Sequence, residues 1–389
     1  MFPRKMLIVF LLVVAMPAAG AAQSLTDRLS TLLTAQVPTS TFVPDVPAAE
    51  ATRDTVARLF AIELTSLPVA SSSGGFVYRL NPTIGAVERA SESFGPFFTE
   101  RTLRNGRGQM SFGFSFQFSS FSSLQGAELD TGTFPTNAAR LAGATQPFSV
   151  DTLRLSLESR TTVAFASYGV TDRFAIGGTV PFVTVQFDGT RVRNADGTRT
   201  LQAYQSGSAS GLGDITLNAR YLVAGDGPRG FTLGTDVRMP TGHEEDLLGS
   251  GRAAARFLVI GSWEDGTLAV NLNGGYGVGG ASSQLTWGMA TTFAAAPRVT
   301  LVGEIIGTRI EDLSYVEDVY QPHPLVPGVE TMRWLDADRG VVTAVVVAGA
   351  KWNIASTWLL NTSLLFRVTD GGLRGRVTPA ISLGYDFER

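Results

Sequence analysis

Residues 110–118 read Met-Ser-Phe-Gly-Phe-Ser-Phe-Gln-Phe, so that Met110, Phe112, Phe114, Phe116 and Phe118 alternate with Ser111, Gly113, Ser115 and Gln117. Successive side chains of an extended chain point to opposite faces, and a period of two therefore specifies a strand with one apolar and one small, polar face. The pattern returns, interrupted by turn-forming residues, to the end of the chain. Twelve such segments fall near residues 109–121, 151–170, 174–187, 213–224, 230–239, 252–263, 267–278, 284–294, 299–309, 340–353, 358–368 and 375–387. The connections at 171–173, 225–229, 264–266, 295–298 and 354–357 are short, whereas 122–150, 188–212, 240–251 and 310–339 are long. An all-β, antiparallel transmembrane β-barrel of even strand number has this alternation, with brief periplasmic turns, longer outer loops and both termini in the periplasm. The outer connections at 279–283 and 369–374 are shorter than that scheme expects, and a hairpin hidden there would raise the count from twelve to fourteen.

The faces of the strands separate a membrane barrel from a soluble sandwich. In a sandwich the apolar faces fill a core, whereas in a membrane barrel they meet lipid and the polar faces enclose a lumen. The polar face carries charges of both signs. Its candidate lumen-lining residues are Arg154, Glu158, Asp214, Arg220, Asp236, Arg238, Arg256, Glu304, Lys351, Arg367 and Arg376, with Arg160, Asn218, Asn271, Asn273, Asn361 and Asp386 on the same side. Opposed charges in a wet lumen pair across strands. Trp263, Trp287, Trp352, Trp358 and Tyr385 fall near strand ends, where amphipathic rings favour the membrane interface. Ile381, Leu383, Tyr385 and Phe387 share one face of the last segment, resembling the C-terminal signal by which the barrel-assembly machinery recognises outer-membrane barrels. Glu388 and Arg389 extend past the aromatic residue on which that signal usually ends.

The chain has 389 residues, of which 44% are hydrophobic and 17% charged, with 43 glycines and no cysteine. Disulfide scaffolds and Cys-ligated metal sites are thereby excluded, and so much apolar surface is incompatible with a disordered chain. A formal net charge of -3 offers none of the concentrated positive charge that nucleic-acid binding requires. Only Lys5 and Lys351 are lysines, a bias that a GC-rich genome explains. Arg4 and Lys5 precede the apolar run Met6–Met16 and the small residues Ala18–Ala22, the layout of a cleaved secretory signal peptide over residues 1–22. The run is too short for a spanning helix. Its removal leaves 29 basic against 34 acidic residues on an exported chain, which fits export to the outer membrane of a Gram-negative bacterium.

Residues 23–108 form a separate, partly helical extension before the barrel of 109–389. Leu25, Leu29, Leu32 and Leu33, and then Val56, Leu59, Phe60 and Leu64, recur at helical spacing, with Asp45 and Pro47 at a helix start. Ser71–Gly75 reads as a linker, and segments 76–80 and 86–90 flank a turn as a short hairpin. The extension either plugs the lumen or reaches into the periplasm.

Gly211-Leu212-Gly213-Asp214-Ile215 opens one strand, and Met239-Pro240-Thr241-Gly242 closes its hairpin neighbour. The pair resembles a motif of the outer-membrane barrel family associated with the meta-pathway of phenol degradation, similar in plan to FadL-type transporters. The segment Phe94-Gly-Pro-Phe-Phe-Thr-Glu-Arg101, followed by Gly106-Arg107-Gly108, resembles one that precedes the barrel in such proteins. The resemblance covers roughly residues 150–389 and implies passive uptake of small apolar or aromatic solutes, with outer-membrane lipid as the surrounding partner and no cofactor. FadL-type barrels use their N-terminal segment as a plug. On physical grounds the motif pair is first a rim corner, because glycine lets backbones approach and proline ends strand pairing. A structural or assembly barrel with a closed lumen is the alternative function.

Other chemistry finds less support. His243, Glu244, Glu245 and Asp246 are consecutive and converge poorly on one ion, so they read as a solvated acidic loop. The two histidines, His243 and His323, lie in outer loops without a Gly-x-Ser-x-Gly elbow, and Ser250 is a weak nucleophile candidate, which argues against an enzyme such as a barrel lipase.

Overall fold

The computed structural model describes residues 23–387 apart from 39–42, 66–77, 82–85, 90, 103–105, 226–228, 281, 356 and 376. The signal-peptide reading of residues 1–22, the linker at 71–75, Arg376 and the terminal Glu388 and Arg389 lie outside the described residues.

Twelve strands make the barrel wall: β1 (Met110–Leu124), β2 (Ser149–Gly169), β3 (Phe174–Ala195), β4 (Thr216–Gly225), β5 (Gly230–Arg238), β6 (Ala254–Asp265), β7 (Leu268–Gly279), β8 (Gln284–Ala296), β9 (Val299–Pro322), β10 (Val329–Ala355), β11 (Trp358–Arg367) and β12 (Thr378–Phe387). Each pairs antiparallel with its sequence neighbour, and β12 pairs with β1 from Ala380↔Gln117 to Phe387↔Met110, which closes the cylinder. Closure leaves no free edge, the condition for a sheet to cross lipid. Each of the twelve expected segments is a strand, and among the described residues the short connections at 279–283 and 369–374 add no barrel hairpin, Leu373–Gly375 only extending the pairing of β1.

The rim is uneven. β6 and β7 have 12 residues each, whereas β9 and β10 have 24 and 27. Two stretches expected as outer loops are instead tall hairpins: β3 continues to Ala195 and pairs with residues 198–212, and β9 stays paired with β10 as far as Pro322↔Glu330. The short strands Ala127–Glu128 and Phe134–Leu141 add to the same high side.

The outward face of the lower wall is apolar and exposed, including Phe114, Phe182, Leu217, Phe257, Leu272, Met289, Leu301 and Leu383. Such a continuous apolar band on a closed cylinder is a lipid-facing surface. Aromatic rings mark its lower margin, beside the chain's final strand, where Tyr385 packs 4.9 Å from Trp358 and 4.6 Å from Phe387. No helix among the described residues is long and apolar enough to cross a membrane.

Two helices occupy the outer half of the barrel. α1 (Leu25–Thr34) is capped by Ser24, whose side chain accepts from the Asp27 amide, and α2 (Val46–Thr65) by Asp45, which accepts from the Ala48 amide at 3.1 Å. Leu25, Leu29, Leu32, Leu33, Leu59 and Phe60 are buried with Leu153, Leu155, Leu157 and Phe187 of the wall in one apolar cluster. The expected hairpin pairs Tyr78–Asn81 with Ala86–Arg89.

Candidate functional site

Residues 91–102 run through the lower half of the lumen, and the wall grips their backbone. Glu304 of β9 lies on the inward face. It accepts from the amides of Phe97, Phe98 and Thr99 and from the Thr99 hydroxyl, the last two at 2.9 and 2.8 Å. Lys351 of β10, opposite Thr300 of β9, donates to the carbonyls of Pro96 at 2.5 Å and Phe94 at 3.4 Å. Carboxylate and ammonium thus take the two polarities of one peptide run, the compensation that buried charges need. Gly95, at φ +71°, makes the turn that presents those groups. Farther along, Asn273 bonds both the amide and the carbonyl of Glu100, and Ser91 donates to Glu264.

Above this segment lies a chamber of about 300 Å³. Leu64 of α2 and Leu247 and Leu248 of the 240–250 loop form its roof, and Phe98, Thr99 and Glu100 its floor. One side is charged: Asp236 of β5 sits between Arg220 of β4 at 2.5 Å and Arg256 of β6 at 2.6 Å, and Arg220 also reaches Glu100 at 3.3 Å. The lining also includes Val163 of β2, Pro181 of β3 and Ile306 of β9.

The Gly-Leu-Gly-Asp and Pro-Thr-Gly segments meet as one corner. The Asp214 carboxylate accepts from the amides of Gly242 and Ser250 and from the Ser250 hydroxyl at 2.6 Å, while Thr241 donates to the Gly213 carbonyl. The corner holds the roof loop, and the roof loop holds α1. Asp246 accepts from the Leu25 amide at 3.2 Å, placing a carboxylate at the helix N-terminus, and Thr26 donates to the Glu245 carbonyl. The acidic run is therefore a docking loop for the helix rather than merely solvated, and its neighbours Leu247 and Leu248 turn inward.

Of the expected lumen residues, Asp214, Arg220, Asp236, Arg238, Arg256, Glu304, Lys351 and Arg367 are on inward positions. The first five border the chamber, Glu304 and Lys351 hold the lumen segment, and Arg367 meets α2 through Glu63 at 2.8 Å. Burial pushes the Glu63 carboxyl above its ordinary range, against the pull of Arg367. Arg154 and Glu158 require correction. Leu153, Leu155 and Leu157 are the buried side of β2, so Arg154, Glu158 and also Arg160 point outward, with Arg160 5.7 Å from the centre of the outward Phe118 ring. The helices fill this level of the barrel with apolar side chains, which draws the apolar face of β2 inward.

Residues absent from the sequence expectations secure the helices. Arg193 forms a two-point pair with Asp151 at 2.7 and 3.1 Å and also donates to the Val37 carbonyl. Arg191 donates to the Leu33 carbonyl. The Arg-x-Arg spacing at 191–193 was a usable sign, obscured because 188–212 reads as a loop. His323 joins the outer hairpin to the extension: its Nδ1 accepts from the amides of Leu325 and Val326, and its Nε2 lies 3.1 Å from the Val43 carbonyl. His243 is exposed on the roof loop. No group of three or more potential ligands suited to a metal ion occurs among the described residues.

Residues 138–301 match the family model described as a putative MetA-pathway of phenol degradation. The family resemblance is borne out. Among solved structures, the chain is similar to an outer membrane channel from Pseudomonas putida F1 at 15% identity, covering 72% of this chain and 96% of that one, with a TM-score of 0.47. It is also similar to the P. putida toluene transporter TodX at 11% identity, covering 72% and 91% of the two chains, with a TM-score of 0.34. No curated protein matches the sequence.

Proposed function

We propose that the chain is a passive outer-membrane transporter of small hydrophobic or aromatic compounds in a Gram-negative bacterium, exported by a cleaved signal peptide and inserted by the barrel-assembly machinery. The chamber carries this reading: a closed, lipid-facing barrel encloses a space of about 300 Å³ between the helices and the lumen segment. That is the lower end of the size range of small-molecule pockets. The family description, which concerns phenol degradation, supports aromatic solutes. The reading assigns the protein no catalysis: Ser250 is committed to Asp214, and His323 bonds backbone groups.

A second reading, a structural barrel whose lumen stays closed, draws on the same occupation of the bore from both ends. Proteoliposome uptake of toluene and phenol separates the two. The transporter reading expects flux above protein-free vesicles, increased by deletion of residues 24–65. Absence of flux in both the full chain and a correctly inserted deletion variant leaves only the structural barrel.

A further inference from the structure

The chamber has unlike walls, and the charged one is biased toward donating hydrogen bonds. Asp236 is taken up on both oxygens, by Arg220 and by Arg256. Glu100 is engaged by Arg220, and Asp214 is turned to the backbone and hydroxyl donors of its own corner. All three carboxylates bordering this wall are therefore occupied by protein donors. Arg256 differs: it spends Nε and Nη2 on Asp236, and its side chain remains 46% exposed toward the lumen. Arg238 is diagonal to it across the β5–β6 ladder and borders the same space. A guanidinium presents five donors in a fixed plane, so two bonds to Asp236 do not exhaust it. Apolar side chains line the same space: Val163 on the wall, Leu248 in the roof and Phe98 in the floor.

A neutral hydrocarbon makes no use of the guanidinium side, and a cation finds its carboxylates already engaged by protein groups. A compact molecule with one anionic acceptor and an apolar body matches both the guanidinium group and the apolar lining. We infer that the chamber binds small amphipathic carboxylates, aromatic or short alkyl, with the carboxylate on Arg256 beside Arg238 and the hydrocarbon against Phe98, Val163 and Leu248. The inference rests on the transporter reading for its biological sense and names the substrate class within it. The donors are already ordered by Asp236, so little further ordering accompanies ligand binding.

Benzoate and its near-isosteric neutral analogue benzamide are the probes, titrated calorimetrically into the full mature chain in a zwitterionic detergent. The expected result is that benzoate binds at least about tenfold more tightly than benzamide, that added salt weakens only benzoate, and that Arg256→Gln removes the preference. Heat-modifiable gel mobility verifies folding of each variant. Should Arg256→Gln fail to fold, Thr308→Glu places a negative charge on the chamber wall outside the arginine group and is expected to depress benzoate binding selectively. Equal binding of the two probes, or a benzoate preference that persists in whichever variant folds, overturns the inference. Toluene and benzoate flux in proteoliposomes are both measured alongside. Flux without benzoate preference refutes the anion site and spares the transporter reading, whereas benzoate preference without any flux does the reverse.

Discussion

Replacing Glu304 by alanine is expected to release the lumen segment. The carboxylate is the common acceptor for three consecutive amides, those of Phe97, Phe98 and Thr99, and for the Thr99 hydroxyl. Alanine leaves four donors without this partner. An unsatisfied buried donor costs roughly 1–3 kcal/mol, and the low end applies because Phe98 and Thr99 border the chamber. The expected loss is therefore about 4 kcal/mol of docking free energy, roughly a thousandfold in the ratio of docked to released segment. A segment released one time in ten thousand would then be released about one time in ten.

Planar-bilayer conductance and liposome swelling with small sugars read that change directly, since the segment occupies the lower half of the bore. Glu304→Ala is expected to show frequent large-conductance openings and measurable sugar flux. Glu304→Gln, which keeps one acceptor oxygen, is expected to fall between it and the unaltered protein. Lys351→Met removes the donor to the Phe94 and Pro96 carbonyls and is expected to act in the same direction. If Glu304→Ala inserts normally yet conducts no more than the unaltered barrel, the carboxylate is not what holds the segment.

Three further outcomes are expected. Arg367→Met leaves the Glu63 carboxyl buried without its guanidinium and costs about 3–5 kcal/mol of α2 docking at neutral pH, while Glu63→Leu with Arg367→Met is near neutral, as limited proteolysis of α2 would report. In the single variant the docked carboxyl has a pKa above its undocked value, so docking is strongest at acid pH and is lost as pH rises through the docked value. Asp214→Ala frees the roof loop from its corner and is expected to raise protease sensitivity at Arg252 while costing about 1–3 kcal/mol of stability. Gly189→Val drives a side chain into Leu32 and is expected to displace α1, seen as increased hydrogen exchange over residues 25–34 with the barrel amides unchanged.

Much of the wall was legible because its signal is local. A period of two identifies a strand without knowledge of its partner, and small residues between strands mark the turns, so twelve segments and their connectivity followed. The positions of Arg220, Asp236, Arg238, Arg256, Glu304, Lys351 and Arg367 on inward strand faces also followed, because a single parity applies along each strand. Their partners did not. The contacts of Glu304 with residues 97–99 and of Arg220 with Glu100 join groups far apart in sequence, and no periodicity encodes which backbone a lumen charge will hold. The high hairpins were hidden for another reason: the polar faces of 198–212, rich in serine and glycine, resemble loop composition although the chain remains paired.

The error at Arg154 and Glu158 exposes the physical limit of face reading. Alternation states that two sides of a strand meet unlike environments; it does not state which side is which. Along the lower wall lipid is the apolar environment, and Phe114, Phe116, Ile381 and Leu383 point outward. Higher on β2 the apolar environment is the pair of helices inside the barrel, and Leu153, Leu155 and Leu157 point inward while Arg154, Glu158 and Arg160 lie outside. No bulge breaks the β2–β3 ladder from Ser149 to Gly169, so the strand does not rotate; its surroundings change sides. The apolar cluster reports the plug from the wall's side, because leucines on the inward parity of a barrel strand need an apolar partner within the bore. An inward apolar run above an outward apolar belt is therefore a sign of an internal domain, legible once the strand parity has been fixed by the lipid-facing half.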